Sequence, residues 1–186
     1  MGVRGNVLWI TRTAIFTALL ITMQLVTTPL GNQFVTGSVN NLIMIVSLLV
    51  CGPATGIVVG IISPLCVSLI GFGPAFPPLV PFIALGNAVF ILAWFFLRKL
   101  NKSDKPGMRH NTINCLIAVG AAAIKFLTLY TTIVKFAMPF LLDLNEAQSA
   151  VLGLAFSYPQ IITAIIGGAI ALAISPRLQK ALKTVN

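Results

Sequence analysis

Acidic residues are almost absent. Of 186 residues only three are Asp or Glu and one is His, which leaves no carboxylate pair for acid–base work and no nucleophile–base set. The acids, Asp104, Asp143 and Glu146, all fall between apolar runs. Neither a proton relay nor an ion pair inside a membrane span is therefore readable. Three cysteines, Cys51, Cys66 and Cys115, lack C-x-x-C spacing, and His110 stands alone in a basic stretch. No metal site or disulfide framework follows, and the thiols read as small apolar packing groups. There is no G-x-x-x-x-G-K-[ST] phosphate loop, and no internal inverted repeat is evident. The expectation is a chain that is not an enzyme and binds no metal or cofactor of its own.

Apolar residues are what the chain has in excess: 58% are hydrophobic against 8% charged, and the mean hydropathy is +1.00. Soluble domains are about 25% charged, and a membrane helix needs about 20 apolar residues. The sequence thus predicts a single all-α integral membrane domain over 1–186. Six apolar segments can be placed, at about 8–28, 36–51, 54–70, 79–97, 112–138 and 149–174. The first follows a basic start, but "TTP" stands where an A-x-A cleavage site belongs, so it reads as a retained span. The second and third are short, and could form a re-entrant hairpin or two embedded short helices. "GFGPAFPPLVP" predicts a rigid non-helical link before the fourth.

Ten of the twelve Lys and Arg lie in three groups: Arg4 and Arg12; Arg98, Lys99, Lys102, Lys105 and Arg109; Arg177, Lys180 and Lys183. Such placement beside spans marks the cytoplasmic side rather than a nucleic-acid surface. Six crossings put both termini and all three groups on that side, an N-in, C-in six-helix bundle. Asp143 and Glu146 then lie outside. Trp9 and Trp94 fall near cytoplasmic span ends, where indole rings favour the interface.

Two cations break the pattern. Lys125 and Lys135 sit inside the fifth segment, where a lysine near mid-bilayer costs about 2.5–3.5 kcal/mol on insertion scales. Lys125, Thr128, Thr132 and Lys135 are spaced i, i+3, i+7 and i+10, one stripe of an α-helix. A polar stripe rising to the outer surface reads as a cavity wall. Lys135 also has a simpler account, snorkelling toward Asp143 or Glu146. Lys125 has no acid within any span, so it is neutral, bonded to carbonyls and amides, hydrated, or paired with a ligand anion. Further polar groups share the outer half: Asn32 and Gln33 in the first outer loop, Asn40 and Asn41 opening the second span, Asn87 mid-way along the fourth, and Tyr158 and Gln160 flanking Pro159. Each alone is commonly a helix-packing hydrogen bond; their common depth points to a substrate site. Small residues four apart, Ala14 and Ala18 in the first helix and Gly56 and Gly60 in the third, let another helix approach closely, inside this bundle or from a partner.

Arg12 before Ala14-x-x-x-Ala18 in a basic six-helix chain resembles the substrate-binding subunit of energy-coupling factor transporters, prokaryotic importers of vitamins and related micronutrients. The similarity extends over "VTGSVNNLIMIVSLLVCGPATGIVVGIISP" and "PFIALGNAVFILAWFFL", which look like the second to fourth helices of such subunits. The resemblance implies a multi-pass protein of a prokaryotic cell membrane that holds one vitamin-like molecule in an outward pocket. It implies docking through Ala14 and Ala18 on a membrane coupling subunit joined to two ATPases, which use the ATP. It assigns Lys125, Thr128, Thr132, Tyr158 and Gln160 to the pocket. The pocket signatures of thiamine, riboflavin and biotin members are missing, which leaves the substrate open. Competing expectations are a self-contained oligomeric transporter or channel, and a membrane scaffold without a ligand.

Overall fold

Prolines and glycines decide where the helices stop in the computed structural model, which describes residues 3–100 and 108–185. Helix α1, Val3–Thr27, gives way to a 3-10 turn, Thr28–Leu30, that Gly31 closes with a φ of 64°, a left-handed conformation that glycine adopts without a Cβ penalty. Helix α2 is Gln33–Cys51 and α3 is Pro53–Leu69. Gly52 alone, at φ 92°, joins them, and Pro53 follows in the first turn, where a missing N–H costs nothing. The link to α4, Val80–Leu100, ends in a second 3-10 turn, Pro77–Leu79. Helix α5, Met108–Leu129, runs on through a π-helical stretch, Tyr130–Ala137, into α6, Met138–Leu141. Helix α7 is Glu146–Ala155 and α8 is Tyr158–Val185. The long hydrophilic loop expected after α4 falls at 101–107, outside the described residues.

All regular structure among the described residues is helical. Five stretches are long and apolar enough to cross a membrane: Gly5–Leu30, Gln33–Cys51, Pro77–Lys99, Asn111–Leu141 and Glu146–Leu178. Helix α3, with 17 residues, is shorter. It is nevertheless packed side by side with α1, α2 and α4. The last segment, expected as one span over 149–174, is two helices broken at Phe156 and Ser157, because Pro159 cannot donate to the carbonyl four residues earlier.

The main core joins Leu20, Met44 and Ile45 to Val59, Phe90 and Trp94. Helices α2 and α8 cross closely through glycine: a Cβ on Gly167 would stand 2.7 Å from the Ser38 carbonyl oxygen, and one on Gly37 2.8 Å from Thr163 Cγ2. Trp94 is not an interfacial anchor. It is wholly buried, its Nε1 has no hydrogen-bond partner among the described residues, and it packs on Gly168 and edge-on to Phe90. Its ring area is satisfied by small residues opposite it, which the position near a helix end did not reveal. A second core, Leu79, Leu129, Ile133, Ala137, Leu152 and Phe156, binds the π-helical stretch to α7.

The two small-residue pairs behave oppositely. Gly56 and Gly60 face inward, where a Cβ would lie 3.0 Å from Ile91 Cγ2 and 3.1 Å from Asn87 Cβ respectively. Ala14 and Ala18 are exposed on α1, beside the exposed Ile15 and Leu19. The first pair seals the bundle, and the second is left uncovered.

Candidate functional site

One end of the bundle holds a cavity of about 450 Å³. Its wall takes in the end of α1, the α1–α2 connection, the α3–α4 link around Phe72–Ala75, and the break between α7 and α8. Arg98 and Lys99 lie at the other end of α4, where they border a separate recess near Gly52 and Pro53.

Lys125 stands in the wall, only 4% exposed. Its Nζ donates to Asn41 Oδ1 at 2.6 Å and lies 5.0 Å from the centre of the Phe90 ring. Asn41, 1% exposed, donates through Nδ2 to Thr163 Oγ1 at 3.3 Å, and Thr163 donates to the Gln160 carbonyl at 3.3 Å. The Lys125 amine on α5 is thus tied through α2 to α8 by groups without charge. The ammonium has two further N–H bonds to give.

Two prolines build the rest of the polar wall. Pro159 leaves the Ala155 carbonyl without its helical donor, and both Gln33 Nε2, at 2.6 Å, and Gln160 Nε2, at 3.0 Å, donate to it. Pro64, inside α3, leaves the Gly60 carbonyl in the same state, and Asn87 Nδ2 donates to it at 3.0 Å. Buried carbonyls seldom stay unpaired, so each helix interruption draws an amide from a neighbouring segment. Asn32 lines the rim, but its Oδ1 already caps α2 by accepting from the main-chain N–H groups of Phe34 and Val35.

Of the ten substrate residues expected from sequence, Asn32, Gln33, Asn41, Asn87, Lys125 and Gln160 come together around this cavity. Thr128, Thr132, Lys135 and Tyr158 are not in its wall. Thr128 and Thr132 donate to the carbonyls of Ile124 and Thr128 in their own helix. Lys135 is exposed, with Nζ 5.6 Å from the Tyr130 ring centre, and Tyr158 is 53% exposed. The buried stripe from Lys125 continues through Leu129, Ile133 and Ala137, at steps of four. Thr128 lies beside that stripe within α5, and beyond Leu129 the wider turn of the π-helical stretch carries Thr132 and Lys135 off it.

Gln24, Thr36 and Asn40 also line the cavity, as do Phe72 and Phe156. Gln24 was legible as the one amide inside the first apolar segment; the aromatic residues carried no distinguishing pattern. Among the described residues no group of three or more His, Cys, Asp or Glu comes together. No family model, curated protein or solved structure matches the chain.

Proposed function

We propose that this chain is the substrate-binding membrane subunit of an energy-coupling factor importer, which captures a vitamin-like micronutrient from outside a prokaryotic cell. In this reading all six helical passes cross the membrane, with both termini inside. The basic groups then face the cytoplasm, and the cavity, at the opposite end from Arg98 and Lys99, opens to the exterior.

The observation that carries the reading is Lys125. It is a buried lysine without an acidic partner among the described residues, held by a neutral asparagine, in the wall of a cavity of about 450 Å³. That volume falls in the range of small-molecule sites, about 300–1,000 Å³. Ionisable residues at membrane depth mark substrate paths more often than structure. The exposed Ala14 and Ala18 supply a face on which the helix of a coupling subunit can approach closely, and that partner's two ATPases supply the energy.

The chain purified in detergent, without ATP, is expected to retain one micronutrient and to co-purify with a coupling subunit and ATPases when all are co-expressed. Reconstituted alone in liposomes it is expected to move no solute. Solute flux by the chain alone would replace this reading with that of a self-contained transporter.

A further inference from the structure

The proline-freed carbonyls also fix the polarity of the cavity. A main-chain carbonyl only accepts hydrogen bonds, so Gln33, Gln160 and Asn87 must turn their nitrogens to Ala155 and Gly60. Their oxygens are the amide ends that take no hydrogen bond among the described residues. Gln24 and Asn40 stand in the same wall, but their side-chain oxygens are buried away from the cavity, with no hydrogen-bond partner among the described residues. Asn41 adds nothing further, since its oxygen serves Lys125 and its nitrogen serves Thr163. At Gln33, Asn87 and Gln160 the wall therefore offers oxygens that need donors, and at Lys125 an amine that needs an acceptor.

Charge narrows the choice. Neither Asp143 nor Glu146 borders the cavity, so a cationic ligand would meet Lys125 with nothing to balance it. A dianion would bring one charge more than Lys125 can match and set it against amide oxygens. Pro64, Val67, Ile83, Leu129 and Phe156 supply apolar wall for the uncharged body of the molecule.

We infer that the cavity takes a monocarboxylate that also carries hydrogen-bond donors, with the carboxylate at Lys125 and N–H or O–H groups toward Gln33, Asn87 and Gln160. The inference rests on the proposal that this chain binds a small molecule, and names its chemical class.

The test is mass spectrometry of small molecules released by acid from the full chain, purified from cells grown in rich medium, with deuterium exchange to count N–H and O–H hydrogens. The released molecule is expected to carry one carboxyl group and at least two further exchangeable hydrogens. Lys125→Met protein of equal folded yield should retain at least about tenfold less of it, the scale of a lost charge-assisted hydrogen bond. A released dianion, cation, or molecule without a carboxyl group overturns the inference and leaves the uptake role standing. Undiminished retention by Lys125→Met does the same. Release of no molecule from the wild-type chain overturns both. Should Lys125→Met not fold, the charge and donor count of the wild-type ligand still decide the matter.

Discussion

Lys125 Nζ on α5 and Asn41 Oδ1 on α2 are 2.6 Å apart, with both side chains buried. Asn41→Leu leaves the lysine without its acceptor and is expected to cost about 1–3 kcal/mol, the penalty of an unsatisfied buried polar group. Thermal unfolding in detergent measures it. With Lys125→Met added, the pair should cost less than the sum of the single changes, since both ends of the contact are then apolar. Strict additivity would show that the two are not coupled.

Pro64 removes a helical donor, and Asn87 replaces it at the Gly60 carbonyl. Asn87→Leu is expected to lower stability by about 1 kcal/mol in the native sequence. In a Pro64→Ala background, where the restored N–H can serve the Gly60 carbonyl, the same change should cost little. A double-mutant cycle on the unfolding midpoint reads the difference, and equal costs in both backgrounds would dismiss the proline's part in placing Asn87.

Small residues on the two faces should respond in opposite ways. Gly167→Ala forces a Cβ to 2.8 Å from Asn41 Cβ and is expected to destabilise by about 1–3 kcal/mol. Ala14→Trp with Ala18→Trp adds bulk to an exposed face and should change stability by no more than about 0.5 kcal/mol, while abolishing co-purification of a coupling subunit. Intact co-purification would remove that role from α1.

Thr128→Val, Thr132→Val and Lys135→Met should leave the amount of retained small molecule unchanged, because these side chains bond to their own helix or face outward. Loss of ligand in any of them, with folding preserved, would mean that the cavity extends along α5 past Leu129.

Orientation is open to chemical labelling. With Cys51, Cys66 and Cys115 replaced by alanine, Gly31→Cys is expected to react with a membrane-impermeant maleimide on intact cells. Lys99→Cys should react only after permeabilisation. The reverse pattern would turn the bundle over and point the cavity at the cytoplasm.

The sequence disclosed the helices through apolar length, and their ends through Pro29, Gly52, Pro53 and Pro77, because these are local effects of chain stiffness and missing donors. It disclosed Lys125 because a lone cation in an apolar run is conspicuous. It hid the course of α5 beyond Leu129, since a change from α to π winding depends on how Ile133 and Ala137 pack on α7 rather than on residue type. It also hid the depth of Trp94, which is set by Gly168 on a helix 74 positions later. The amide positions were visible but not their partners. The rule that unites them, a proline four residues after an accepting carbonyl, becomes readable only when neighbouring helices are known.

Below Lys125 the bundle narrows to Phe90, Ile91 and Trp94, none with any exposed area, against Met44, Ala121 and Ala164. A solute reaching the lysine therefore stands in a cul-de-sac. Under the proposed function, cargo would pass that apolar layer only if helices part or the loaded body turns as a whole. On the proposed reading, such a chain holds its cargo until an outside agent opens the way.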